Sequence, residues 1–293
     1  MGAERHGSLT PSALLATIAR DVPVVALDLE MTGLDPVNDQ VIEIAVVRWA
    51  NGTIEERTSL VRPSVRLSRD AVRLTGLTDA DLATAPTFAA IADEIRDWLD
   101  GAVVVAHNAP HDLSFLHREF DRCGKRFLPP PSVDTLLMVK RLFAFQKNNL
   151  PVVAEKLGVD AAPAHRALGD ARTTLAVWQK MIGLVDPTGT VTLSELHDLI
   201  GSLAPNSPLR VRQQHALKDA FRDHKTVFIE YAVTDVAQVG LIRREIGIWR
   251  LRLPYIQAWC YLRDGERVFR LDRIRAVDPA GRDYEIPPHE PRI

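Results

Sequence analysis

The chain has 293 residues, 36 basic and 38 acidic side chains and a formal net charge of −2, so no global charge marks it for a polyanion or a membrane surface. Hydrophobic residues at 46% and charged residues at 25% exclude a disordered or fibrous chain, and the length predicts two domains with separate cores. Two distant cysteines, Cys123 and Cys260, argue against a disulfide framework or a cysteine zinc site, and no apolar run nears the roughly 20 residues of a membrane span, so the expected setting is the cytoplasm, with no membrane partner.

In chain order, residues 1–21 read as an N-terminal helical extension, with an amphipathic stretch from Ser12 to Arg20. Val24 to Pro36, VVALDLEMTGLDP, is a β-branched run that breaks at Thr32-Gly33 and Asp35-Pro36, a strand entering a turn. Asp28 and Glu30 lie two residues apart in it and project from one face. Two carboxylates so placed repel each other and resist burial, and a divalent cation is the simplest reason for them. Two further strands, Gln40–Ala50 and Gly52–Val61, are joined by Asn51-Gly52, a strong hairpin signal. Two short helical pieces follow through Leu74-Thr75-Gly76-Leu77, and then apolar residues at helical spacing predict a helix over Thr87–Asp100.

Ala102–Ala106 is fully apolar and reads as a buried central strand, followed by His107-Asn108-Ala109-Pro110-His111-Asp112 with Pro110 in the first turn of a helix. Asp112 thereby stands beside the carboxyl end of a strand, where open α/β sheets hold ligands. Val133–Phe145 and Asn149–Leu157 are read as helices, and His165–Asp170, HRALGD, leads into a long helix ending near Met181. A hairpin followed by strands alternating with helices predicts an α/β domain over residues 22–183. Seen alone, Asp112 or Asp170 reads as a helix cap, and His165 as a loop histidine.

Together, DLEMTG, HNAPHD and HRALGD, in that order and spacing, resemble the DEDD-type 3′→5′ exonucleases of the RNase H-like fold, specifically the DEDDh family of the epsilon proofreading subunit. VIEIAVV, LTGLT, Val133-Asp134-Thr135 and Asn149-Leu150 add to the likeness. The resemblance implies a mixed sheet flanked by helices and two divalent metals, Mg²⁺ or Mn²⁺. Asp28 would bridge them, Glu30 and Asp170 complete one site and Asp112 serve the other. It further implies His165 as general base, Met31, Thr32, Gly33, His107 and Asn108 as the substrate-facing set, and a nucleic acid with a free 3′ end, single-stranded DNA, as substrate. His107 and Asn108 also suit holding the loop after the strand. Phosphodiester hydrolysis asks for such a set, because a water must be deprotonated and charge on the attacking and leaving oxygens stabilised.

Met31 stands where the family has a small hydroxyl residue, which alters the expected nucleotide contacts. His111 replaces a phenylalanine, and His111-Asp112 opens an alternative reading as an all-helical HD phosphohydrolase, disfavoured because the pair follows a buried strand.

Residues 184–208 carry Asp186-Pro187, Gly189 and Pro205-Asn206-Ser207-Pro208 around a short helix at Leu193–Ile200 and read as a linker. Residues 209–293 begin with a helix, Val211–His224, and then alternate as strands at Thr226–Val233, Ile246–Arg252, Tyr255–Leu262 and Arg267–Ile274. Residues 207–293 hold 16 basic against 12 acidic residues, +4, and residues 1–206 carry −6, which lets the two halves share a polyanion. Ile229-Glu230-Tyr231 and AWCYLRDGERVFRLDRI resemble the WYL domain of bacterial regulators, an SH3-like β-fold, although that family's Trp falls on Pro254. The resemblance implies a surface for single-stranded nucleic acid or a nucleotide ligand, for which Tyr255, Arg263, Arg267, Arg270 and Arg273 are the candidates. Arginines among aromatics suit phosphate contact with base stacking; core aromatics alternating with solvated arginines are the plainer reading.

Two functions follow. In one the chain is an active exonuclease whose tail grips strands or a ligand. In the other it senses nucleic acid or ligand and the nuclease fold is a binding platform; four clustered carboxylates favour the first. Proofreading within a polymerase is disfavoured by the WYL-like tail. Oligomeric state is left open.

Overall fold

The computed structural model describes residues 9–143, 145–161, 166–203, 207–235 and 238–286. It divides into two compact units, one of residues 1–137 and 147–196, the other of residues 138–146 and 197–293.

The first unit is built on a five-stranded sheet of order β3-β2-β1-β4-β5. β1 (Val24–Met31), β2 (Val41–Ala50) and β3 (Thr53–Leu60) are antiparallel, while β4 (Val103–Ala106) and β5 (Ser132–Asp134) run parallel to β1. This is the mixed sheet the RNase H-like resemblance implies. The hairpin turns at Asn51 and Gly52, with φ of 51° and 80°, the paired left-handed conformation that makes Asn-Gly its preferred dipeptide. β1 alternates as a strand covered on both faces must. Val25, Leu27 and Leu29 enter the core beneath α4 (Phe88–Leu99) and α5 (Ala109–Arg122) with Ile95, Leu99, Phe115 and Phe120. Asp28 and Glu30 therefore face the other side, where α8 (Ala167–Val185) packs on β1 and β2.

Several elements differ from the sequence reading. α1 is only Pro11–Ala16, because Thr17 turns extended and Ile18 forms a bridge with Thr192. The expected helix over Val133–Phe145 begins instead as β5, whose three residues extend the sheet, before a short helix (Thr135–Met138) and a π-turn over Val139–Phe143. α8 runs on to Val185, where the Asp186 carboxylate accepts from the amides of Gly189, Thr190 and Val191 and stops the helix with a turn.

In the second unit α10 (Pro208–Arg222) packs on an antiparallel sheet of order β10-β6-β7-β8-β9. Its strands are β6 (Lys225–Asp235), β7 (Gln238–Arg252), β8 (Tyr255–Cys260), β9 (Gly265–Arg270) and β10 (Ile274–Asp283). Val227, Ile229, Ile246, Ile248, Ile256, Ala258 and Phe269 form its core under Leu217. β10 has no strand signal in the sequence, since RAVDPAGRD has little apolar alternation and carries a proline; it is a sheet edge, where proline is tolerated. Among the described residues no helix is long and apolar enough to cross a membrane.

Candidate active site

Three of the four predicted acids converge. One oxygen from each of Asp28, Glu30 and Asp170 lies within 4.8 Å of the others. Asp28 and Glu30 come from the α8 side of β1, and Asp170 from the first turn of α8, where the helix dipole favours a negative side chain. Asp112, in the first turn of α5, lies outside that trio, yet of the neighbouring acids its charge acts most strongly on Asp28.

Crowding of these acids sets the electrostatics of the cluster. Burial, and then the charges of Asp112, Asp170, Glu30 and Glu43, hold the Asp28 carboxyl well above the usual range. Glu30, only 8% exposed, is pushed up to about 7 by burial and by Asp170 and Glu43, against a lowering pull from Arg166. Asp112 also rises to about 7, burial outweighing hydrogen bonds from its own amide and that of Leu29, with Asp134 and Glu30 adding repulsion. Leu29 can spare its N–H because β4 pairs with β1 only as far as Ala26. Oxygen donors that cannot all ionise in each other's company fit a hard divalent cation, which would neutralise them together.

Around this set the loops are braced by residues the sequence reading passed over. Asp134 Oδ1 accepts from the amides of Asn108 at 3.0 Å and Leu136 at 2.9 Å, which holds Asn108 in the left-handed conformation that opens α5 (φ 83°). Glu43 stands directly across from Glu30 in the β1–β2 register. The signal for both was present, a lone acid in the apolar run VIEIAVV and another at the end of SVD.

Of the expected substrate-facing residues, Thr32 is buried and its hydroxyl donates to Asp39 Oδ1 at 2.9 Å while accepting from the Gln40 amide. Gly33 lies under that same carboxylate, so it is a constituent of the turn after Glu30. His107 binds Thr135 and Asn148 through its two ring nitrogens, the loop-holding part. Met31 is half-buried against the core, and the His111 ring packs edge-on against Phe115. His165 lies outside the described residues.

Residues 25–178 match the Exonuclease (RNase T) family model, more than half of the chain. The chain belongs to the exonuclease family. Residues 214–279 match the WYL domain. The DNA polymerase III PolC-type protein of Thermotoga maritima is 32% identical over 237 residues, covering 78% of this chain and 17% of the polymerase. That of Staphylococcus aureus is 30% identical over 225 residues, 73% and 16%. The chain thus spans about 17% of the length of the curated relatives it matches. Among solved structures, E. coli exonuclease I in complex with a dA16 oligonucleotide shares the fold, with a TM-score of 0.52 at 14% identity over 88% of this chain and 65% of that one.

The WYL domain does not gather its predicted residues on one surface. Tyr255, 54% exposed, sits opposite Arg270 on β9, but the Arg270 guanidinium is paired with the Asp272 carboxylate at 2.6 Å. Arg267 falls on the other face of the strand and donates to the Glu266 carbonyl. Arg263 is exposed in the turn after β8, and Arg273 is half-buried with a partner. Trp259 shares the Tyr255 face and stacks on Trp249, ring centroids 5.5 Å apart, beside Val268 at 60% exposure. That aromatic strip was only half visible in the sequence, because a bulge between Ile248 and Arg250 is what brings Trp249 to it.

Proposed function

We propose that this chain is a metal-dependent 3′→5′ exonuclease that releases nucleoside 5′-monophosphates from single-stranded DNA in replication or repair. The observation that carries the reading is the convergence of Asp28, Glu30 and Asp170 beside Asp112. Asp28, which feels the charges of Asp112, Asp170 and Glu30, would be shared between two cations; Glu30 and Asp170 would help hold one and Asp112 the other. Oxygen donors alone select Mg²⁺ or Mn²⁺ over zinc. Bound there, such ions supply charge neutralisation at the scissile phosphate and acidify the attacking water. His165, by its place in HRALGD, takes the water's proton, and the loop braced by Asp134 keeps Asp112 at the strand end. In the WYL domain, Trp249, Trp259 and Tyr255 offer stacking faces and Arg263 an exposed charge, which supports contact with a single strand or a nucleotide.

The test is digestion of 3′- and 5′-labelled single-stranded DNA and RNA with Mg²⁺ or Mn²⁺, comparing the intact chain with Asp28→Ala. Stepwise loss from the DNA 3′ end, abolished by the substitution, supports the reading. Retained binding with uncut substrate under both metals replaces it with a sensing module.

A further inference from the structure

Glu43 is a fifth acid at the site and a buried one, and its position needs a cause. It faces Glu30 across the antiparallel pair, where like charges destabilise a sheet, and its side chain is 4% exposed. Its oxygens are not free for a cation. Oε1 accepts from Arg166 Nη2 at 3.0 Å, and Oε2 from Arg166 Nε at 3.2 Å and from the Ala167 amide at 3.3 Å. The fork of two parallel bonds fixes the guanidinium plane, and the amide bond satisfies one of the donors left open at the start of α8. α8 has no side-chain cap of its own at Arg166. The next link is within the helix: the Asp170 amide donates to the Arg166 carbonyl at 3.1 Å. The path from Glu43 to Asp170 is therefore two hydrogen-bonded steps, and His165 is the residue joined to Arg166 on its other side. The same fork restrains a cation whose field reaches Glu30.

We propose that Glu43 is a positioning residue. By clamping Arg166 and Ala167 from β2, it sets where Asp170 meets Asp28 and Glu30 and keeps the Arg166 guanidinium from pairing with those acids in place of a divalent cation. The role rests on the metal-dependent exonuclease reading, yet it has a readout that needs no hydrolysis.

The full-length chain is compared with Glu43→Ala, Glu43→Gln and Arg166→Ala. Mn²⁺ affinity is measured by calorimetry, kcat and KM on a labelled oligonucleotide, and melting by circular dichroism. Partners that orient metal ligands change affinity or activity by roughly 10–100-fold. Glu43→Ala is expected to weaken Mn²⁺ binding and lower kcat within that range, with KM within about twofold of wild type. Glu43→Gln, which keeps one acceptor for the Ala167 amide, should fall between. Lower melting temperatures with unchanged Mn²⁺ affinity and kcat, measured well below melting, would overturn the proposal and leave Glu43 a purely structural residue. If Glu43→Ala does not fold, Glu43→Gln and Arg166→Ala are judged by the same outcomes. A wild-type chain that binds Mn²⁺ without degrading DNA refutes the exonuclease reading alone, since the calorimetric comparison still stands.

Discussion

His107 Nε2 lies 2.7 Å from the carbonyl oxygen of Asn148, a residue 41 positions away. A carbonyl only accepts, so Nε2 carries a proton, while Nδ1 lies 2.9 Å from the Thr135 hydroxyl, which also reaches the Ala106 carbonyl at 3.3 Å. The imidazole thus pins both ends of the stretch between β5 and α7 (Leu150–Leu157) to the loop that opens α5. His107→Ala strands the Asn148 carbonyl, at a cost of about 1–3 kcal/mol if it stays buried, while the Thr135 hydroxyl keeps the Ala106 carbonyl. The expected result is a lower melting temperature together with a fall in kcat. A raised KM at unchanged melting temperature would instead mark His107 as a substrate contact.

Stability without metal should depend on pH in an unusual direction. Glu30 and Asp112 both titrate near 7 in the folded chain, against 4.5 and 3.8 in their ordinary state. Between those limits the folded protein holds protons that the unfolded chain has released, so raising the pH lowers stability. The contribution is complete below about pH 4 and gone above about pH 7. Melting in EDTA should therefore fall from pH 5 to pH 8, in a part of the range where most proteins are level. Mg²⁺ binds the ionised carboxylates and should restore the melting temperature at pH 8 far more than at pH 5. Differential scanning fluorimetry across that grid decides it; equal metal shifts at both pH values would show that these carboxyls are not its ligands.

Gly33→Ala tests the turn that follows Glu30. A Cβ there would stand 2.4 Å from Asp39 Oδ2 and 2.6 Å from Oδ1. That carboxylate cannot retreat freely, because it accepts from the Thr32 hydroxyl and from the Asp35 amide, each at 2.9 Å. The methyl group must break one of these bonds or move the turn, at roughly 1–3 kcal/mol. Since Glu30 is three residues away at the end of β1, nuclease activity should fall with stability. Asp39→Ala, which empties the space, should make the added alanine nearly neutral in the double variant, and urea midpoints of the four proteins measure the coupling.

Much of this was legible beforehand, for reasons that particular residues make plain. Asp28 and Glu30 stood out because charge in a β-branched run contradicts burial, and Asn51-Gly52 because few dipeptides accept two left-handed conformations. Glu43 breaks the same rule as Asp28, but its partner Arg166 lies 123 positions away, a pairing that no local pattern carries. β5 was missed because three residues are too few to show a period, and it exists only through its ladder to β4. The C-terminal arginines misled for the opposite cause. Their spacing with aromatics is a strand's, so alternate members face opposite sides, and Arg270 is spent on Asp272.

Arg210 gives the WYL domain its own test. Its side chain is almost fully buried, and its guanidinium donates to the carbonyls of Leu271 at 2.7 Å, Ile274 at 2.5 Å and Asp272 at 2.9 Å, and to Gln213 Oε1 at 2.9 Å. Burial and the like charge of Arg141 lower its pKa, Asp272 opposing. The cation thus closes the turn between β9 and β10 from α10, doing with one side chain what backbone amides do elsewhere. Arg210→Met keeps most of the volume and removes every donor, leaving at least three carbonyls and an amide oxygen to find water. At about 1–3 kcal/mol for each group that stays dry, a loss on the order of 3 kcal/mol is a conservative expectation. That amounts to roughly a 100-fold faster hydrogen exchange for protected amides of β6 and β10. Amides of β1 and α4 should keep their wild-type rates, because their core is built from other residues. Unchanged exchange in β10 would show that the turn closes without the arginine.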